Sequence, residues 1–343
     1  MFGLLRTLLA IIVMLGHLLG KWQVGTYAVF GFYMISGYLM TCIMHESYGF
    51  NARGRLRFVL NRFLRLYPLY WCAAIISLLM IVFIGSDFVL SYNSSIDFPK
   101  TTTDIFANLS MVYPKFFANE YKPILVPTTW AITVELFFYA AICLGLSKTR
   151  LRVIVWLGLS LLYVIYCFYH DLGWRYRYFP IFAGSLPFAM GAYIYFLKKE
   201  GMPFLTEALF QPPLLLCGML INMLAVMVFE IYFEMGFYIN AFFSVLLCYQ
   251  LATGAGWGSL YAKASPRVDK IIGEFSYPIY LLHWQAGIIA AYLLLQEPVH
   301  NASLDGFKSL AFAFVLVFAS TFILIRAIDR PVQKWRMRVK AAA

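Results

Sequence analysis

The opening stretch MFGLLRTLLAIIVMLGHLLG is apolar except for Arg6 near one end and His17 near the other. Eleven positions separate the two. At about 100° per residue the offset is roughly 20° past three full turns, so on a helix both side chains leave the same stripe. The rise between them is about 16.5 Å, roughly half the hydrocarbon core of a bilayer. The stripe therefore carries a fixed positive charge at one membrane surface and a proton-exchanging imidazole deep inside. Ionisable groups at such depth are costly and mark functional positions. An imidazole titrates near neutrality, which makes His17 a candidate general base. Taken alone, Arg6 also fits an interfacial anchor, and His17 a hydrogen-bonding residue within a bundle.

Three further clusters carry polar chemistry in apolar surroundings. In Trp130-AITVE-LFF-Tyr139, Glu135 enters the membrane from the face toward which His17 ascends. A carboxylate at similar depth orients an imidazole and stabilises its charged form. Bonding to Tyr139 or Thr133, merely tying helices together, is the plainer alternative. Trp130 and Tyr139 flank it as candidate substrate contacts. In SYPIYLLHW, Ser276, Tyr280 and His283 stand at i, i+4 and i+7, one helix face. That stripe suits a substrate-lined cavity wall and interhelical hydrogen bonding equally. Pro278 is expected in the first turn, where its missing donor costs little. In NRFLRLYPLY, Arg62 and Arg65 share a face. Paired guanidiniums receive the phosphates of a nucleotide-like cofactor, or anionic lipid headgroups. Gly31, Ser36 and Gly37 suit close helix packing.

The elements that must position these groups are membrane helices. The chain is 62% hydrophobic and only 13% charged, with a mean hydropathy of +0.75. A water-soluble chain of that composition exposes too much apolar surface, so the fold class is an all-α integral membrane protein. Ten apolar runs suit spans: 4–20, 24–44, 68–85, 129–146, 151–169, 178–197, 212–230, 235–253, 274–295 and 307–327. They continue through residues 1–343 as a single domain, and 1–20 reads as a retained span because no small-residue cleavage pattern follows. Of 27 Lys and Arg, only Lys21, Lys100, Lys115, Lys122, Arg175, Arg177 and Lys308 fall in outer segments when both termini are cytoplasmic. This positive-inside bias sets the expected orientation and accounts for the net charge of +11 without nucleic acid. Residues 86–128 form one long outer loop, whose Phe116, Phe117 and Tyr121 suggest a lid. The six cysteines lie in apolar runs without a CxxC pair and read as small buried hydrophobes.

The sequence contains no Walker loop, GxSxG, HExxH or carboxylate-rich metal cluster. It therefore points away from an ATP-driven pump, a typical serine hydrolase and a metalloenzyme, and no metal is expected. Taken in order, Arg6-TLLAIIVMLG-His17, FGFYMISGYLM, NRFLRLYPLYW, TWAITVELFFY, SYPIYLLHW and Asp329-Arg-Pro331 resemble acyltransferase family 3 of membrane proteins. The resemblance implies transfer of an acyl group, usually acetyl, from cytoplasmic acyl-CoA to a hydroxyl of an extracytoplasmic glycan. It carries catalytic importance to Arg6 and His17, the arginine motif to Arg62 and Arg65, and the acidic position to Glu135. Ala131 and Asp329 depart from it, standing where Ser and Glu are common. Acetyl-CoA is then the expected donor, with Arg6, Arg62 and Arg65 near its phosphates. A glycan or lipid-linked saccharide is the acceptor, with membrane lipid and polysaccharide-assembly proteins as partners and a bacterial inner membrane as the location. A transporter or flippase for a lipid-linked saccharide is the rival, since Asn222, Asn240, Tyr280 and His283 also suit a translocation path.

Overall fold

A computed structural model describes residues 2–113, 123–201, 211–229, 232–254 and 266–341. The described residues form helices and no strand. Helices α1 (Gly3–Leu18) and α2 (Trp22–Ile43) make a tight hairpin, continued by a π-helical turn at Met44–Tyr48. There follow α3 (Ala52–Ile84), α4 (Ser86–Tyr92), α5 (Thr102–Ser110), α6 (Thr129–Leu144), α7 (Arg150–Tyr169), α8 (Trp174–Tyr178) and α9 (Ile181–Glu200). The chain closes with α10 (Pro212–Val228), α11 (Phe233–Thr253), α12 (Pro266–Leu295), α13 (Leu304–Leu324), a π-helical turn at Ile325–Asp329, and α14 (Arg330–Ala341).

Among the described residues seven helices are long and apolar enough to cross a membrane, and α1, α6 and α10 are shorter apolar helices. Each of the ten apolar stretches in the sequence lies on one of these. The outward faces carry Leu159, Leu162 and Ile165 of α7 and Leu79 and Phe83 of α3, all exposed. Backbone polar groups are satisfied within each helix, so lipid can cover such faces. This is an integral all-α membrane protein.

Two boundaries differ from the sequence expectation. The third span does not start at Pro68: α3 begins at Ala52, where the Asn51 side chain accepts from the Gly54 amide at 2.7 Å. Arginine and leucine favour helix, and this cap lets the basic run join the apolar one. Pro278 does not sit in a first turn either, because α12 already starts at Pro266. Three of the cysteines, Cys143, Cys167 and Cys248, are buried, whereas Cys42 and Cys72 are half-buried and Cys217 is exposed on α10. Of the outer loop, α4 and α5 are ordered against the bundle, while Phe116, Phe117 and Tyr121 lie outside the described residues.

The helix α1 is the hub. It packs most extensively on α12 and also on α2, while α2 in turn packs on α9. Glycines permit that last crossing. A Cβ at Gly37 would collide with the Phe188 carbonyl, and one at Gly191 with the Met34 carbonyl. Close backbone approach of this kind is how membrane helices gain contact when lipid supplies no hydrophobic drive. Gly191→Val should therefore lower stability by at least about 1–3 kcal/mol. The thermal unfolding midpoint in detergent reads this out, and an unchanged midpoint would contradict the crossing.

Candidate active site

Two cavities lie on either side of a thin wall, and α1 supplies one ionisable residue to each. Arg6 lines a narrow slot of about 90 Å³ together with Ser36, Arg62, Arg65, Glu135, Tyr139, Ser276 and Tyr280. His17 lines a wider vestibule of about 700 Å³ with Tyr92, Trp130, Arg175, Trp284 and His300. Consecutive residues line the two cavities. Trp130 faces the vestibule and Ala131 the slot. Thr128 of the vestibule and Tyr280 of the slot bond reciprocally: Tyr280 OH donates to the Thr128 carbonyl at 3.1 Å, and Thr128 Oγ1 to the Tyr280 carbonyl at 3.2 Å.

The α12 stripe meets α1 as its spacing predicts. Ser276 Oγ donates to the Arg6 carbonyl at 3.1 Å. Two turns along the same face, His283 Nε2 lies 2.8 Å from His17 Nδ1. The second nitrogen of His283, Nδ1, lies 3.3 Å from the Ile279 carbonyl. A carbonyl only accepts, so His283 carries its proton on Nδ1 and offers a lone pair at Nε2. His17 must then hold its own proton on Nδ1 and donate it to His283. The hydrogen-bond network thus leaves the His17 Nε2 lone pair for an incoming proton. Trp284 stacks on the His17 ring at a centroid distance of 5.0 Å and fixes its plane.

This geometry corrects three assignments. Glu135 does not orient His17. Its Oε1 accepts from Ser36 Oγ at 2.9 Å and its Oε2 from Tyr139 OH at 2.8 Å, within the slot. The depths do not match: His17 is the penultimate residue of α1, whereas Glu135 lies six residues into α6, about 9 Å from its N-terminal end. His283 is not a substrate contact either, since it is 0% exposed and lines neither cavity. Its ring nitrogen Nε2 instead meets His17 Nδ1. The remaining substrate candidates divide, Trp130 going to the vestibule and Tyr139, Ser276 and Tyr280 to the slot.

Arg65 is not a free phosphate ligand. Its Nη1 lies 3.2 and 3.1 Å from the two carboxylate oxygens of Asp329, which is 2% exposed. The π-helical turn brings Asp329 to α3. Arg62, in contrast, meets Asn61 Oδ1 at 2.7 Å and Met40 Sδ at 3.6 Å, neither an acid. The sequence offered a signal for Asp329, the lone acid of the closing Asp-Arg-Pro element. It offered none for Arg175, or for His300, whose Nδ1 is buried without a hydrogen-bond partner among the described residues.

A family profile described as an acyltransferase domain matches residues 2–327. No curated protein matches the chain, and no solved structure does.

Breaking the Arg65–Asp329 pair strands a guanidinium that is mostly shielded from water. Asp329→Asn should cost about 3 kcal/mol, while the double variant Arg65→Met, Asp329→Leu regains most of that loss. Unfolding midpoints of the three proteins check this. Equal stability of wild type and Asp329→Asn would show that the pair does not hold α3 to the C-terminal turn.

Proposed function

The chain belongs to the acyltransferase family whose profile spans residues 2–327, and from that premise we propose that it acetylates an extracytoplasmic glycan hydroxyl using cytoplasmic acetyl-CoA. The proposed topology has ten crossings with both termini in the cytoplasm, in a bacterial inner membrane. The observation that carries this reading is the division of labour along α1. One helix gives Arg6 to a slot lined by guanidiniums and His17 to a vestibule lined by Ser91, Asn93, Ser94, Ser95 and aromatic rings. Guanidiniums suit a polyphosphate donor. Hydroxyls, amides and flat rings suit a sugar.

In this mechanism the acyl-pantetheine arm occupies the slot, and its thioester passes the Thr128–Tyr280 pair to reach His17. The Nε2 atom of His17 takes the proton of the acceptor hydroxyl as the oxygen attacks the thioester carbonyl carbon. The C–O ester bond forms, the C–S bond breaks, and His17 returns its proton to the leaving thiolate. While His17 is charged, its Nδ1–H bond to His283 becomes charge-assisted and stronger. His283 thus serves the role the sequence suggested for Glu135. Of the residues offered for a translocation path, Tyr280 lines the slot, while Asn222 and Asn240 give no support to transport. Asn222 Nδ2 donates to the Gly236 carbonyl at 2.8 Å, Asn240 is buried, and neither lines the two cavities.

Mass spectrometry of surface glycans from cells with and without the protein tests the reading. One acetyl mass per modified residue should appear with wild type. His17→Ala should reduce transfer by at least about 10²-fold at equal protein abundance. His283→Leu should reduce it roughly 10²-fold by freeing the wrong tautomer, and His283→Gln, which keeps an acceptor for His17 Nδ1, should recover part of it. Full acetylation by folded His17→Ala would end the proposal.

A further inference from the structure

Beyond the matched residues 2–327, α14 packs against α3. Asn61 of α3 joins the two helices. Its Nδ2 donates to the Arg336 carbonyl at 3.3 Å, and its Oδ1 accepts from Arg62 Nη2 at 2.7 Å. The Arg336 guanidinium is within electrostatic range of Arg62, Arg65, Asp329 and Tyr48. The acids nearby are already engaged: Asp329 by Arg65, and Glu135 by Ser36 and Tyr139. Arg62 and Arg336 are left as neighbouring cations with no carboxylate partner among the described residues. The Nε atoms of both are buried without a hydrogen-bond partner there.

Two like charges shielded from water repel each other and are stabilised by an anion between them. A phosphate matches, since its oxygens accept several N–H bonds from planar guanidiniums at once. The slot has room of about 90 Å³, which admits a thin arm and not an adenine nucleotide. Arg62 lines that slot, whereas Arg336 does not. The nucleotide end of a donor threaded into the slot must then lie outside it, where α14 follows Asp329.

We propose that Arg336 on α14 binds, with Arg62, the ribose 3′-phosphate of the acyl-CoA donor, making the C-terminal helix part of the donor site. A phosphate monoester carries nearly two negative charges and suits a pair of guanidiniums. The inference rests on the donor assigned under Proposed function.

The test measures binding of CoA and of 3′-dephospho-CoA to the full-length protein in phosphatidylcholine nanodiscs by calorimetry. Wild type should bind CoA about tenfold more tightly than 3′-dephospho-CoA. Arg336→Gln should lose that preference while binding 3′-dephospho-CoA as wild type does. Arg336→Lys keeps the charge and should retain a few-fold preference; it decides the matter where the Gln variant does not fold. Equal affinity of wild type for the two nucleotides overturns the proposal, as does an undiminished preference in either folded variant. Loss of the preference when phosphatidylglycerol is added would assign the arginines to a lipid headgroup and overturn it too. Wild type that binds neither nucleotide would instead overturn the donor assignment itself.

Discussion

A neutral imidazole has one donor and one acceptor, and in a membrane neither can be left to water. His17 resolves this through His283, 2.8 Å away on α12. The bond depends on two register relations. On α1, eleven residues carry the chain from Arg6 to His17 along one stripe. On α12, seven residues carry it from Ser276 to His283 along the facing stripe. Ser276 bonds the Arg6 carbonyl at one end and His283 bonds His17 at the other, so the two helices are locked in phase. Slipping either by one residue would turn the imidazoles apart by about 100°. The extensive α1–α12 packing is what holds a single tautomer of His17 facing the vestibule.

Charge is distributed with the same economy. Arg6, Arg62 and Arg65 gather around one slot. Glu135 is held by two hydroxyl donors there, and Asp329 is committed to Arg65. The residual positive charge is a standing attraction for a polyanion. Among the described residues the vestibule is lined by uncharged polar and aromatic groups, with Arg175 its one Lys or Arg. Reciprocal Thr128–Tyr280 bonds separate the two environments. An acyl group is small and uncharged, and it is the part of the donor best suited to cross such a wall.

Much of this was legible in the sequence because helical periodicity is local. The stripes Arg6–His17 and Ser276–Tyr280–His283, the apolar helices and the close packing at Gly37 all follow from spacing within one element. Partners between elements were not legible. Glu135 was expected beside His17 because its span descends from the face to which the His17 span ascends, but depth counted in residues from uncertain helix ends is too coarse to pair side chains a turn or two apart. Likewise Arg65 and Arg62 look equivalent on one helix face, and only the turn at Ile325–Asp329 distinguishes them by bringing an acid to Arg65. Arg336 sits in a basic tail that reads as a topogenic charge run until α14 is seen folded against α3.

The central claim is that acyl donor and acceptor meet at His17 from opposite sides of the membrane. Sealed vesicles from cells carrying the protein, prepared inside-out or right-side-out and given labelled acetyl-CoA in the medium, test it most directly. The account predicts label on the enclosed glycan of inside-out vesicles and none in intact right-side-out vesicles. Equal labelling of sealed right-side-out vesicles would contradict it.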